Sequence, residues 1–206
     1  MTISVIGLNH KSANIDIREK FSFTADSASL LLRRIKKVKD ILEVIVVSTC
    51  NRTEIYCESA NGSDDIKNWL LSEKEYKSFA KHLYIHQEED AIEHLFKVVA
   101  GLDSMVIGES EVLGQVKTAY KIALDNKSID GKLKRLFEYS FSVAKNVRTN
   151  TDIGGNAISF MYTSILLIKK IFSTVEEKKC LLIGAGEMTE LALKYLKSNN
   201  VNDITI

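Results

Sequence analysis

A cysteine with polar neighbours on both sides is the first residue whose type and position could do chemistry. In the stretch VVSTCNRTEIYC a run of β-branched residues ends at Cys50, whereas Cys57 lies within an alternating apolar pattern. A turn at the end of a strand exposes its side chains, and a thiolate there is a good nucleophile. Arg52 is expected to favour the thiolate and lower the thiol pKa, or to hold a substrate carboxylate. A buried structural thiol is the alternative, and it is our interpretation of Cys57 and Cys180.

The histidines divide by their surroundings. His94 lies in EDAIEHLFKVVAGLDS, where Leu95 and Val99 belong to the apolar stripe of a helix and His94 lies off that stripe. Its small neighbours would let another element approach, so His94 either faces a cleft or is an ordinary surface histidine. His82 and His86 lie in KHLYIHQEED, which we interpret as a polar, solvated connection.

A polar loop precedes the next predicted helix. Gly101 and Gly108 interrupt the helical pattern of GLDSMVIGESEVLGQVKTAY and leave Ser104, Glu109, Ser110 and Glu111 in an irregular connection. Ser110 or Glu111 could cap the helix that follows. Polar loop residues at this density also often bind ligands, so both interpretations stay open.

The stretch GAGEMT, Gly184 to Thr189, follows an apolar strand pattern and opens a helix. That is the setting of a dinucleotide phosphate loop, in which backbone N–H groups and the helix N-terminus face the pyrophosphate. Thr189 stands in place of the third glycine. The residue that reads the ribose would lie beyond Ile206, so the residues alone do not choose between NAD and NADP.

The elements that must position these residues form an α/β chain. Strands are predicted at about 3–10, 41–47 and 53–58, and helices at 28–39, 65–73, 88–100, 111–126 and 132–150. A long helix at 156–172, a buried strand at 179–184, a helix at 187–197 and a strand from 202 follow. We expect an α+β catalytic domain over 1–155, a connecting helix over 156–175 and the start of a Rossmann-type βαβ unit over 176–206. Two parallel strands with one helix cannot cover both faces of their sheet, so we expect a piece of a longer protein.

Composition restricts the class of protein. With 45% hydrophobic residues, 27% charged residues and a net charge of +1, the chain is typical of a globular protein that does not bind nucleic acid through overall charge. No apolar run approaches the roughly 20 residues of a membrane helix, and there is no signal-peptide pattern. We expect a cytoplasmic protein with three reduced thiols, no metal site and no membrane partner.

Six motifs occur in a characteristic order: GLNHKSA, STCNRTEIY, HLFKVVAGLDSMVIGE, LGQVKTAY, SVAKNVRTNTDIG and LLIGAGEM. In this order and combination the sequence resembles the glutamyl-tRNA reductase family. The resemblance implies NADPH-dependent reduction of glutamyl-tRNA(Glu) to glutamate-1-semialdehyde through a thioester, the first step of 5-aminolevulinate and tetrapyrrole biosynthesis. It also implies a homodimer formed through a C-terminal domain outside this sequence, and a glutamate-1-semialdehyde aminomutase as downstream partner. We expect this chain to keep only the acylation step.

The resemblance assigns residues by motif. The implied catalytic residues are Cys50, as nucleophile, and His94. The implied substrate-binding residues are Thr49, Asn51, Arg52, Ser104, Glu109, Ser110, Glu111 and Gln115. The implied NADPH-binding residues are Gly184, Ala185, Gly186, Glu187, Met188 and Thr189. Many members of the family have Glu-Pro-Gln where this chain has Glu109-Ser110-Glu111.

Two other functions are alternatives. An unrelated nicotinamide dehydrogenase would use its cysteines only for packing. A non-catalytic RNA-binding module would use the basic helix that carries Lys132, Lys134, Arg135, Lys145 and Arg148, although the spacing of these cations also suits a solvated helix face.

Overall fold

The chain divides into two compact units, Met1–Gly155 and Asn156–Ile206. The structure, a computed structural model, describes residues 1–74, 76–109, 111–153, 160–172 and 174–206, with backbone only at 160–163 and 187–188. Mixed helices and strands make the chain an α/β protein, as predicted.

A four-stranded antiparallel sheet organises the first unit. Its strands are β1 (Thr2–Asn9), β2 (Ile41–Ser48), β3 (Arg52–Ser59) and β4 (Tyr84–Gln87), in the order β2-β3-β1-β4. The three predicted strands are confirmed. Helices α3 and α6 pack against β3, and all eight of its residues are buried, so its alternating pattern does not mark a solvent-exposed face.

The described residues of this unit also form six α-helices: α1 (Ile15–Lys20), α2 (Ala25–Ile35), α3 (Ser63–Ser72), α4 (Glu88–Val99), α5 (Glu111–Asp125) and α6 (Lys132–Asn150). The five predicted helices are confirmed, although α2 begins and ends earlier than its basic pattern suggested. The short α1 was not predicted.

The prediction of a polar connection around KHLYIHQEED is wrong. A 3-10 helix covers Lys77–His82 and β4 follows, because Ile85 pairs opposite Ile6 of β1 and completes the sheet. His82 and His86 are therefore half-buried rather than solvated. The Nδ1 atom of His82 lies 3.1 Å from the carbonyl oxygen of Ser12.

A buried carboxylate from the sheet caps α6. Glu43 of β2 is 2% exposed and accepts hydrogen bonds from the backbone N–H groups of Asp130 (2.6 Å), Gly131 (2.6 Å) and Leu133 (2.7 Å). Burial by itself raises the pKa of Glu43, but these hydrogen bonds outweigh it and the pKa is lowered. The N-terminus of α6 is thus fixed to β2 by a negative charge at the positive end of the helix dipole.

The second unit is a small βαβ arrangement. It contains α7 (Phe160–Ile171), β5 (Cys180–Leu181), α8 (Glu187–Ser198) and β6 (Ile204–Thr205), with β5 parallel to β6. The expected buried strand at 179–184 is wrong in extent and burial, since Leu181 is 65% and Ile183 90% exposed. One helix covers only one face of two strands. The helix predicted at 156–172 ends at Ile171, as expected to within one residue, and its predicted start, at 156–159, lies outside the described residues.

Candidate active site

The turn between β2 and β3 displays the candidate nucleophile. The hydroxyl oxygen of Thr49 accepts the backbone N–H groups of Asn51 and Arg52, both at 3.2 Å. The N–H of His10 donates to the carbonyl of Asn51 at 2.9 Å, which fastens the end of β1 to the same turn. Thr49 and Asn51 therefore shape a turn at whose tip Cys50 is exposed.

The surroundings of Cys50 raise the pKa of its thiol. Although the residue is exposed, partial desolvation of the sulfur is the largest cause that raises its pKa, and the carboxylates of Glu109 and Glu111 raise it further. Arg18, which contacts the carbonyl of Cys50 at 3.4 Å, acts in the opposite direction. The expected lowering of the thiol pKa by Arg52 is wrong, because the Arg52 guanidinium is bound elsewhere.

Cys57 is a packing residue, as predicted. It is fully buried, and its sulfur lies 3.1 Å from the hydroxyl of Ser4. Burial raises the pKa of its thiol to about 11. Cys180 is half-buried in β5.

Arg52 is held inside the protein by two acids. Its side chain is 1% exposed, and its Nη1 donates to Glu54 Oε1 at 2.8 Å and to Asp103 Oδ2 at 3.1 Å. Its Nη2 donates to the backbone carbonyl of Asp103. Burial would lower the pKa of Arg52, but Glu54 more than compensates and the pKa is raised. Arg52 therefore stays charged and fixed in orientation.

Glu54 is the centre of a buried network. Its side chain is 0% exposed, and its Oε1 accepts from Arg52, from the hydroxyl of Tyr84 (2.5 Å) and from His94 Nε2 (2.8 Å). Its Oε2 accepts from the hydroxyl of Tyr56 at 2.7 Å. Burial raises the pKa of this carboxyl, but Arg52 and His94 outweigh it and hold the pKa well below its usual range. An ionised carboxylate thus orients the side chains of Arg52, Tyr56, Tyr84 and His94.

Glycine on the neighbouring strand makes room for Glu54. Gly7 of β1 lies directly opposite Glu54 in the strand register. A Cβ atom on Gly7 would lie 2.6 Å from the carbonyl oxygen of Thr53 and 2.8 Å from Glu54 Cγ. Contacts that short do not occur in folded proteins, so only glycine allows this strand pair and its carboxylate to coexist.

His94 lies against the network rather than on the surface. Its side chain is 11% exposed, and its ring stacks on His86 at 4.8 Å and meets Tyr84 edge-on at 5.5 Å. Since an ionised carboxylate can only accept, the Nε2 of His94 carries the proton shared with Glu54. The interpretation of His94 as a surface histidine is therefore wrong.

The loop after α4 brings further polar groups to this region. Its two glycines, Gly101 and Gly108, have φ of +77° and +85°, and the N–H of Gly108 donates to the carbonyl of Gly101 at 2.9 Å. Arg148 of α6 donates to the carbonyls of Gly108 (2.9 Å) and Glu109 (3.4 Å). Glu109 is 7% exposed.

Two further predicted substrate-binding residues lie in the first turns of α5. Glu111 is the first residue of α5 and Gln115, one turn later, is half-buried. Ser110 lies outside the described residues.

Two buried polar atoms in the described residues have no hydrogen-bond partner. They are His10 Nδ1 and Ser104 Oγ. An unsatisfied buried polar atom costs about 1–3 kcal/mol, so such atoms are rare and often functional. Ser104 follows the Asp103 that binds Arg52, and the backbone of His10 is bonded to the Cys50 turn. Both unpaired atoms therefore belong to segments that form the candidate site.

Sequence reasoning missed several members of this site: His10, Arg18, Glu54, Tyr84 and Asp103. A glutamate inside a predicted strand is an unusual choice and was the one available signal for Glu54. The others come from separate segments, and nothing in their local spacing shows that they meet.

The predicted nucleotide loop forms a tight turn at the start of α8. Gly184 has φ of +118°, Gly186 is the N-cap of α8, and the N–H of Thr189 donates to the carbonyl of Gly186 at 3.0 Å. A Cβ on Gly186 would meet nothing within 4 Å, so a ligand could approach the backbone there. Ala185 is exposed, and the side chains of Glu187 and Met188 lie outside the described residues. The loop fits a pyrophosphate group.

Comparison with known proteins decides the family. Residues 6–151 match the sequence model for the N-terminal domain of glutamyl-tRNA(Glu) reductase. The chain belongs to the glutamyl-tRNA reductase family. It is 41% identical over 208 residues to the glutamyl-tRNA reductase of Idiomarina loihiensis and 43% identical over 209 residues to that of Psychromonas ingrahamii. Both alignments cover 100% of this chain but 49% and 50% of those proteins, so the chain spans about half the length of the curated relatives it matches.

Structure comparison agrees with this family. The glutamyl-tRNA reductase of Methanopyrus kandleri matches with a TM-score of 0.64 and 25% identity, over 98% of this chain and 48% of that one. Residues 166–206 match the shikimate/quinate 5-dehydrogenase family model. Within the described residues, no group of three His, Cys, Asp or Glu side chains could hold a metal ion. None of the described helices is both long and apolar enough to span a membrane.

Proposed function

We propose that this chain carries out the thioester-forming step of glutamyl-tRNA reductase, at the start of 5-aminolevulinate and tetrapyrrole synthesis. The observation that supports it most is the exposed Cys50 thiol on the turn that leads into β3, where the buried Glu54 carboxylate binds Arg52 and His94. The sulfur of Cys50 attacks the ester carbonyl of glutamyl-tRNA. A C–S bond forms, the C–O bond to the ribose breaks, and the released ribose oxygen takes up a proton.

The surroundings of the thiol determine when it reacts. Desolvation, Glu109 and Glu111 hold its pKa up, so the free protein carries mainly thiol at neutral pH. We propose that the thiol loses its proton as the ester binds, which protects the nucleophile from side reactions between turnovers.

The two unpaired polar atoms support a position for the glutamyl group. In this proposal His10 Nδ1 and Ser104 Oγ gain their missing hydrogen bonds from polar groups of the substrate. Arg52 attracts the glutamyl carboxylate, and Glu54 keeps the guanidinium and the His94 ring in place. Glu109, Glu111 and Gln115 border the same site, while Thr49 and Asn51 act by holding the Cys50 turn.

NADPH is the cofactor we propose for the second step. Backbone groups of Gly184 to Thr189 would hold its pyrophosphate, and the bound cofactor supplies the hydride that converts a glutamyl thioester to glutamate-1-semialdehyde. The described residues contribute two strands to that domain. A polypeptide of this length is therefore expected to acylate Cys50 and release glutamate slowly by hydrolysis, without forming the aldehyde. In the longer family proteins we propose a homodimer that delivers the aldehyde to an aminomutase.

The experiment is to incubate the chain and two variants with glutamyl-tRNA(Glu) carrying a radiolabelled glutamyl group. The unaltered chain and Cys57→Ser should retain label in a hydroxylamine-sensitive thioester, and Cys50→Ser should retain none, because an unassisted serine hydroxyl stays protonated. Semialdehyde and free glutamate are then assayed separately with NADPH present. Equal labelling of all three proteins would contradict the thioester at Cys50, and aldehyde formed as fast as glutamate would contradict the split between the two steps.

A further inference from the structure

A basic groove runs between α5 and α6 in the first unit. Among the described residues, its lining contains the cations Lys117, Lys145 and Arg148, together with Leu113, Phe141, Ser142 and Thr149, and no carboxylate. Its volume of about 480 Å³ lies in the range of about 300–1,000 Å³ that is typical of ligand sites. A groove of this size with three positive charges is suited to a phosphate-bearing ligand.

The two groove lysines are available for a ligand. Lys117 and Lys145 are exposed, and neither forms an ion pair within the part of the chain that the structure describes. Lys117 Nζ lies 5.7 Å above the ring of Phe141, which places an aromatic face next to a cation. Basic grooves with aromatic faces are the usual binding surfaces for single-stranded nucleic acid.

Three of the basic residues in and just after α2 already have partners within the chain. Arg33 donates to the side chain of Asn126, Arg34 pairs with Glu73, and Lys36 donates to the carbonyl of Leu42. A phosphate would have to displace these internal partners. Binding a phosphate at Lys117 and Lys145 displaces no such partner within the described residues.

Arg148 links the groove to the candidate active site. It lines the groove and donates to the carbonyls of Gly108 and Glu109, and the Glu109 carboxylate is close enough to act on the Cys50 thiol. The negative charges of Glu109 and Glu111 near the thiol would repel an approaching polyanion. A substrate with a phosphate backbone thus needs compensating positive charge close by, and the groove provides it.

We infer that the groove between α5 and α6 binds phosphates of the single-stranded RNA end that carries the glutamyl ester. This inference rests on the proposed function, since it assigns the surface on which that substrate lies. Lys117 and Lys145 contact phosphate oxygens, the hydroxyls of Ser142 and Thr149 donate to the same backbone, and Phe141 offers a face to a base.

The test uses the whole 206-residue chain and a fluorescently labelled, non-acylated RNA hairpin with a single-stranded 3′ tail. Binding is measured by anisotropy between about 50 and 200 mM KCl for the unaltered chain and for Lys117→Gln/Lys145→Gln. Each single-stranded phosphate contact contributes about 0.7 to the slope of log K against log salt, so the double variant should lose about 1.4 from the slope. The matched control is Lys121→Gln/Arg135→Gln, which removes the same charge from exposed sites on the same helices outside the groove.

Several outcomes would overturn the inference: equal slope losses in the two double variants, equal binding of a blunt hairpin without the tail, or displacement of the RNA by NADPH. Failure of the unaltered chain to bind the RNA hairpin would also overturn it. Acylation of Cys50 by a small glutamyl thioester that lacks RNA is measured in parallel and should be the same in all three proteins. If no protein is acylated, the proposed function fails while the salt slopes still decide the groove.

Discussion

Replacing Glu54 by glutamine tests whether one buried carboxylate holds the site together. The substitution keeps size and shape but removes the charge that Arg52 faces at 2.8 Å. Breaking a buried ion pair by neutralising one partner costs about 3–5 kcal/mol. Asp103 still faces Arg52 at 3.1 Å, which favours the lower end of that range. The new amide NH₂ would also point at the Tyr56 hydroxyl, which now donates to Oε2. We expect a loss of about 3 kcal/mol in the free energy of unfolding at pH 7.

The assay is urea unfolding followed by the fluorescence of the single tryptophan, Trp69, which lies in α3 and reports on the first unit alone. The pKa of Glu54 is held well below its usual range, so its stabilisation is present above the unfolded pKa of about 4.3 and is lost as pH falls. The difference between the two proteins should therefore shrink below about pH 4. Acylation of Cys50 should fall by on the order of 100-fold, because Arg52 and His94 lose their common anchor.

Two controls separate the charge from other effects of substitution. Tyr56→Phe removes only the hydrogen bond to Oε2 and should cost about 1 kcal/mol. Glu93→Gln removes a carboxylate from an exposed pair with Lys97 and should leave unfolding unchanged. A loss below about 1 kcal/mol for Glu54→Gln, or a difference that stays constant from about pH 7 to pH 3, would show that this carboxylate does not hold the site together.

The other predictions concern three further positions. Gly7→Ala should lower the free energy of unfolding in urea by about 1–3 kcal/mol, because the new Cβ would lie 2.6 Å from the Thr53 carbonyl oxygen. The control Gly114→Ala, whose Cβ would meet nothing within 4 Å, should be neutral or stabilising. Equal effects of the two substitutions would contradict this prediction. Glu43→Gln should cost about 1–3 kcal/mol at pH 7. Since the pKa of Glu43 is lowered, that cost should fall as pH drops towards about 4, and a cost that rises on acidification would count against the cap. His10→Ala should leave unfolding unchanged but raise KM for the glutamyl ester, because its Nδ1 has no partner within the described residues; unchanged KM would remove it from the substrate site.

Helix bounds, the turn at Cys50 and the family could be predicted from residues that are neighbours along the chain. The boundaries of α6 follow from a continuous 3.6-residue periodicity, and its predicted range is the observed one, Lys132–Asn150. The turn at Cys50 follows from a β-branched run that stops at polar residues, and the motifs around it identify the family. Both are features of residues that are adjacent along the chain.

What those residues contact depends on the tertiary fold. The sheet order β2-β3-β1-β4 places β3 between two strands, so Glu54 is buried opposite Gly7 although the two are far apart in the sequence. In the folded chain Arg52 pairs with Glu54 and Asp103. Desolvation and the nearby Glu109 carboxylate therefore raise the pKa of the Cys50 thiol, where the sequence predicted that Arg52 would lower it. Burial and charge act through space, and one sequence without its fold gives neither the desolvation of a group nor its distance from the next charge.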